Sequence, residues 1–236
     1  MTINADISAI VDRFPSLRIA VVIAEGLAIP AERPAALDTD IAAIEAEAAA
    51  RFADVAMPDI PGVQVWREAY KAFGIKKTSY RCSVERLIRK AVRDGAMARI
   101  NPFVDAYNAV SLKHVFPLGA DDLDHVVGDI CFRESRPGDS FLALGEENAQ
   151  DDPPKPGEIV YADEAKVLCR RWNWYQDARS PVAVGTTRAV VTVQSLGPGD
   201  LQTAVSDLEK MLADHCGGRC SHVVLDRDHP TRKLPC

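Results

Sequence analysis

The order of hydrophobic patterns constrains this chain more than any single motif. Helical periodicity dominates the early part and strand-like runs the later part, without regular alternation of the two, which points to α+β with largely antiparallel β-sheets. Leu17 to Ala24 is a continuous apolar run of the kind that forms a buried strand. Asp40 to Phe52 reads as a helix with Ile41, Ile44, Ala48 and Phe52 on one side, and Trp66 to Phe73 as a second. Strands are expected at Val126 to Arg133, Ser140 to Leu144, Glu158 to Ala162, Val167 to Trp172 and Thr187 to Leu196. Asp163-Glu164-Ala165 suits a hairpin turn between two of them. Leu201 to Leu212 is a helix ended by Gly217-Gly218, and Val223 to Leu225 closes as a strand. No internal repeat is found, and Asp151 to Gly157 is a proline-stiffened loop rather than a linker.

A chain of 236 residues with 47% hydrophobic and 26% charged residues is ordinary for a globular protein with one large or two closely joined cores. The start has no basic region before an apolar run, and no apolar stretch reaches the ~18 residues of a membrane span, so a cytoplasmic protein with no membrane partner is expected. Of the six cysteines, Cys82, Cys131 and Cys169 lie in or beside apolar segments and read as small core residues. His215, Cys216, Cys220, His222, His229 and Cys236 have some ligand character, but their spacing lacks paired zinc-ligand units. The expectation is a partly exposed, frayed tail, with no metal and no cofactor.

Charge is distributed unevenly. Between Arg67 and Arg99 the net charge is +7, and the remainder carries −13, for −6 overall. A basic island in an acidic protein suits a phosphate backbone while limiting indiscriminate binding. Ser83 can cap a helix ending near Gly95, with Val84, Leu87, Ile88 and Ala91 on one face and Arg86, Arg89, Lys90 and Arg93 on the other. With Lys76, Lys77 and Arg81 in the preceding turn, these residues are either a solvated helix face or an RNA contact.

The densest motif runs from Asn101 to Asp124: an Asn-Pro turn, Tyr107 and Asn108 with a buried look, Ser111, then Pro117-Leu-Gly and the acidic Asp121, Asp122 and Asp124. Downstream come Pro156 to Asp163 and the string Cys169-Arg-Arg-Trp-Asn-Trp-Tyr-Gln176. Together these segments resemble the editing module of the phenylalanyl-tRNA synthetase β subunit, formed by its third and fourth B domains, and a freestanding branch of that family. The similarity extends over roughly residues 17 to 225. The resemblance implies a layered sandwich with flanking helices. It implies a single module over 1–236, with a helical and strand half to about 100 and a strand-rich half after it. Nothing in these residues reads as a synthetase's charging domain, so no aminoacylation is expected from this chain alone.

The resemblance also implies a chemistry. An aminoacyl ester is already activated, so its hydrolysis needs a positioned water, donors aimed at the developing oxyanion and a side-chain pocket. Asn108 suits positioning and donation, or alternatively satisfies a turn as a buried asparagine. The family's pocket histidine falls at Gly119, with His114 five positions earlier, so Gly119 marks the catalytic position at which the family pattern is broken. Tyr107, Ser111, Pro117, Asn173, Gln176, Thr186 and Thr187 are the expected substrate-binding residues, Gly185-Thr-Thr-Arg188 resembling the threonine-rich rim of the editing pocket. The carboxylate that reads a tyrosine hydroxyl in the synthetase has no counterpart from Val167 to Gln176, which puts tyrosine specificity in doubt. Trp172 and Trp174 should share one strand face, either filling the core or stacking on a base or substrate. Glu158 suits a strand-start surface position or a ligand.

The expected partners are a mischarged aminoacyl-tRNA and its amino-acid moiety. The expected function is trans-editing hydrolysis of the ester, and the alternative is a non-catalytic tRNA or amino-acid binding module that keeps the pocket. A small-molecule enzyme on a borrowed scaffold is a third reading.

Overall fold

The computed structural model describes residues 3–76, 79–145 and 150–235. Along the chain lie β1 (Asn4–Asp6), α1 (Ser8–Val11), β2 (Arg18–Leu27), α2 (Ala35–Phe52), α3 (Pro61–Ala72), α4 (Ser83–Asp94), α5 (Pro102–His114) and β3 (Leu118–Asp122). They are followed by β4 (Ile130–Glu134), β5 (Ile159–Ala162), β6 (Val167–Arg170), β7 (Tyr175–Gln176), β8 (Arg188–Ser195), α6 (Leu201–Cys216), β9 (Gly217–Leu225) and β10 (Thr231–Lys233). They build two sheets, a four-stranded one in the order β3-β8-β2-β9 and a six-stranded one in the order β10-β1-β4-β5-β6-β7. Every pairing is antiparallel except that of β1 with β4. The fold is therefore α+β, as the order of patterns predicts.

The four-stranded sheet is organised by β2. Ile19 to Ala24 are fully buried on both faces, because β8 and β9 flank the strand and helices cover the sheet. Each aliphatic side chain so buried contributes about 1.5–3 kcal/mol. α6 packs on β9, β2 and β8 through Leu201, Ala204, Val205, Leu208 and Leu212, and α5 lies against α6 and β3. α2 packs outside α5 and α4. Strands from the first thirty residues and the last fifty thus share one sheet.

Several local readings change. The Asn-Pro pair at 101–102 does not make a free turn. Asn101 is the N-cap of α5, accepting from Val104 N at 3.0 Å, and Pro102 occupies the first helical position, where a missing N–H costs nothing. α5 ends at Val115, whose left-handed φ of 59° redirects the chain into β3. Ser83 is the first residue of α4 rather than its cap, and the N-cap position falls to Cys82. α4 does end at Gly95 in the left-handed conformation, and Val84, Ile88 and Ala91 are its buried face.

Ser140 to Leu144 is a loop touching the sheet through one bridge, Ala143 to Asp177, because Asp151 and Asp177 carboxylates take up the Phe141 and Leu142 amides. The strand expected from Val126 begins only at Ile130, after a turn through Gly128. The hairpin turn at Asp163 is present, its carboxylate accepting from the Ala165 and Lys166 amides and from Lys166 Nζ. The strand from Val167 stops at Arg170, since Arg171 and Trp172 both adopt positive φ, 48° and 67°. Trp172 and Trp174 therefore do not share a strand face. Trp172 is fully buried, edge-on to Phe14 and Trp66, whereas Trp174 is half-buried against Tyr80.

The tail is not frayed. β9 pairs along the length of β2, β10 pairs with β1, and Cys216 is buried. His215, His222 and His229 pair with Asp40, Glu209 and Asp226, while Cys236 lies outside the described residues. Among the described residues no group of three or more His, Cys, Asp or Glu side chains is placed to hold a metal ion, and no helix is long and apolar enough to cross a membrane.

Candidate functional site

A cavity of about 130 Å³ lies where α5, the N-terminus of α4, β3 and β8 meet β5, β6 and β7. Its position follows from strand alternation. Gly119 faces Thr192 across the β3–β8 ladder, and Asp121 faces Val190, so Gly119, Asp121, Thr192 and Gln194 share the face turned to the cavity. α5 adds Tyr107 and Asn108, and the segment after β6 adds Asn173 to Gln176. Typical drug-sized sites measure about 300–1,000 Å³. This one has room for a group the size of an amino acid.

Its polar wall is a directed chain. The Tyr70 hydroxyl donates to Asn173 Oδ1 at 2.9 Å, Asn173 Nδ2 to Gln194 Oε1 at 3.0 Å, and Gln194 Nε2 to Thr192 Oγ1 at 3.1 Å. Each amide dipole is thereby fixed in orientation. Asn108 differs from these residues. It sits mid-helix, half-buried on the cavity wall, and its side chain has no hydrogen-bond partner among the described residues. An asparagine in a helix with nothing to bond is a free donor and acceptor for a ligand.

On the β3 wall stands Asp121, 3% exposed, accepting from Ser180 Oγ at 2.8 Å and Gln176 Nε2 at 3.2 Å, both at Oδ1. Burial pushes its carboxyl up to about 7, outweighing those two hydrogen bonds. Burial likewise raises the Tyr107 and Tyr161 phenols, with the Asp121 charge adding to it. Sequence reasoning notes Asp121 only as part of an acidic run, since nothing in the residue order distinguishes it from exposed Asp124.

Of the sequence-predicted residues, Tyr107, Asn108, Gly119, Asn173 and Gln176 line the cavity. The other four do not. Ser111 bonds the Phe116 carbonyl at 2.5 Å, and the Pro117 carbonyl accepts from Gln194 N. Thr186 bonds Asp122 Oδ2 at 2.6 Å, and Thr187 is exposed. Gly119 carries open space, for a Cβ built there meets nothing within 4 Å. His114 does not take the missing imidazole's place, being held by Asp207 at 2.7 Å on α6. Glu158 is neither surface residue nor ligand. It is buried and paired with Arg170 at 2.8 Å.

Of the basic residues, Arg86 touches the cavity lining. The Ser83 amide at the start of α4 donates to the Asn173 carbonyl at 3.0 Å, which docks the helix on the cavity wall. Arg86 reaches the Trp174 carbonyl at 3.0 Å and lies over Tyr175, at the cavity rim. Arg89 and Arg81 converge with Arg67 on buried Glu85, at 2.9, 3.2 and 2.6 Å. Lys90 and Arg93 both pair with Asp94. Arg171 is stacked between Tyr80 and Trp174, 3.8 and 4.3 Å from their centroids. Lys76 and Arg81, with Arg67, Lys71, Tyr70 and Tyr80, line a larger open groove of about 870 Å³, and Lys77 lies outside the described residues.

Residues 65–211 match the family model described as the B3/4 domain. The phenylalanine–tRNA ligase beta subunit of Chromobacterium violaceum is 32% identical over 81 residues, which is 34% of this chain and 10% of that protein. The matched stretch thus spans about a tenth of that relative's length. An N-terminal fragment of the phenylalanyl-tRNA synthetase beta subunit from Pyrococcus horikoshii aligns with a TM-score of 0.49 at 15% identity, over 98% of this chain and 54% of that one. Because the family match spans well over half of the 236 residues and contains α4, α5 and every residue of the cavity wall, this chain belongs to the B3/4 domain family.

Proposed function

We propose that this protein hydrolyses the ester bond of a mischarged aminoacyl-tRNA, acting in trans as a single module. The observation that carries this reading is the junction of an amino-acid-sized cavity, containing the unpartnered Asn108 and the open position at Gly119, with a basic helix docked on the same wall. The ester would lie with its carbonyl against Asn108, and the amino acid would fill the cavity. The tRNA backbone would lie along Arg86, Arg89, Lys90 and Arg93 and the groove lined by Lys76 and Arg81. Asn108 would hold water or donate to the oxyanion, assisted by the ribose hydroxyl of the substrate itself.

A second reading has its own observation. Among the described residues no imidazole lines the cavity, and His114 is committed to Asp207, which favours a module that binds charged tRNA or an amino acid without hydrolysing it. Incubating the protein with a panel of mischarged tRNAs separates the two. Release of amino acid above the spontaneous rate from at least one of them is expected. Retention of every ester, with binding intact, would leave the binding module.

A further inference from the structure

Asp121 is a buried acid without a counter-cation. Ser180 and Gln176 both bond Oδ1, leaving Oδ2 with no hydrogen bond, and no Lys, Arg or His lies within ion-pairing distance of the carboxylate among the described residues. Lys166, whose charge is felt there, is committed to Asp163 at 2.7 Å and to the His125 carbonyl. Isolated carboxylates are rarely buried, since removing the charge from water is costly unless a partner arrives.

The surroundings are equally specific. Tyr107, Tyr161, Trp174 and Tyr175 all line the same cavity as Asp121. The Tyr161 hydroxyl, on a residue 3% exposed, has no hydrogen-bond partner among the described residues, which leaves its oxygen open as an acceptor. A carboxylate oxygen and a phenol oxygen that are both without hydrogen bonds, lining one small cavity, offer two acceptors to a bound ammonium group.

We propose that the cavity is an ammonium site, in which the open oxygens of Asp121 and Tyr161 take a primary ammonium group of an amino acid or aminoacyl ester. This deepens the proposed function and rests on it for the identity of the ligand. With the ammonium beside Asp121, the ester carbonyl two bonds away lies toward Asn108 and Gly119, which line the same small space. The other titratable or charged groups around the carboxyl are Tyr107 from α5, Tyr161 from β5, Cys169 from β6, Tyr175 from β7, the Lys166–Asp163 pair at the β5–β6 turn, and Arg86 of α4 at the rim. The Cys169 thiol and the Tyr107 and Tyr161 phenols stay neutral, burial holding each of them above its ordinary value. Asp121 is thus the group that titrates against the ligand. Its carboxyl, raised to about 7 by burial, is protonated below that pH and must release its proton to pair with a cation.

Binding is measured with three stable probes: L-phenylalaninamide, with an α-ammonium only; Nα-acetyl-L-lysinamide, with a side-chain ammonium only; and N-acetyl-L-phenylalaninamide, with none. One of the first two binds at least tenfold more tightly than the third, and which one does so identifies the source of the ammonium group. Its affinity rises about tenfold from pH 5.5 to 7, as expected when a group of pKa near 7 must ionise to bind. Asp121→Asn, which keeps acceptors for Ser180 and Gln176, abolishes both the preference and the pH dependence. Equal binding of all three probes, binding of none, or an unchanged preference in Asp121→Asn would overturn the proposal.

Hydrolysis of charged tRNA is followed in parallel. Equal rates on aminoacyl- and N-acetyl-aminoacyl-tRNA would remove the ammonium site while leaving the deacylase. Probe binding without hydrolysis of any charged tRNA would do the reverse.

Discussion

Tyr70 donates a 2.9 Å hydrogen bond to Asn173 Oδ1, and so joins the wall of the basic groove to the wall of the cavity. The two residues are 103 positions apart in sequence and both are buried. Asn173 passes the constraint on to Gln194 and Thr192. Tyr70→Phe keeps the ring but leaves the Asn173 oxygen unsatisfied, which costs about 1–3 kcal/mol. Urea unfolding should show that loss, and hydrolysis or probe binding should weaken as the chain of amides loses its fixed orientation. An unchanged unfolding midpoint would mean that the bond contributes nothing.

Asn108→Ala should separate chemistry from folding. Because the asparagine is helical and its side chain unpartnered, alanine should leave stability unchanged or raise it by about 0.5 kcal/mol. If Asn108 places water or donates to the oxyanion, the hydrolysis rate should fall by about 10² to 10³ with little loss of tRNA binding. A variant of full activity would exclude Asn108 from the reaction.

Gly119→His restores an imidazole where the cavity has space for one. Nothing lies within 4 Å of the new Cβ, and the position is not left-handed, so the fold should tolerate the change. A positioned imidazole acting as general base should then raise the rate, by as much as about 10². If the variant folds, binds charged tRNA and gains no rate, the water is not held at this position.

Replacing Arg86, Arg89, Lys90 and Arg93 by glutamine should weaken tRNA binding and reduce its salt dependence, the slope falling by up to about 0.9 for each phosphate no longer neutralised. Stability should change little, since Glu85 keeps Arg67 and Arg81 when Arg89 is removed. Equal affinity at two salt concentrations would show that this helix face does not meet RNA.

Glu85 should make the fold sensitive to acid. Burial alone would raise its carboxyl, but the bonds from Arg67 and Arg89 hold it below the ordinary carboxylate range. A lowered folded pKa contributes stability that is present above the unfolded value and is lost as pH falls through the folded one. Glu85→Gln should therefore be less stable at neutral pH, by about 1–3 kcal/mol. The gap should close as pH falls below about 4, and a gap independent of pH would refute the role of charge.

Much of the fold is legible in residue order. The apolar run of β2, the inward face of α6 and the face and glycine stop of α4 all follow from periodicity and capping chemistry. α5 is not legible in this way. Asn-Pro is both a turn signal and a cap followed by the first helical residue, and the choice depends on tertiary packing against α6 and β3. The expected strand at Trp172 to Trp174 fails because Arg171 and Trp172 adopt a left-handed conformation that their side chains ordinarily avoid. The cavity is half legible. Asn108, Gly119, Asn173 and Gln176 line one cavity, while Asp121 acquires its character from burial, which no spacing in the sequence announces.

The position of β2 at the centre of its sheet also sets a timetable for synthesis. Its partners are β8, which ends at Ser195, and β9, which ends at Leu225, so the strand is made early and paired late. At about 5–20 residues per second, a ribosome takes roughly 10 to 40 s to travel from the end of β2 to the end of β9. For that interval a ten-residue apolar strand lacks its full set of native neighbours, and the nascent chain must be kept from pairing elsewhere.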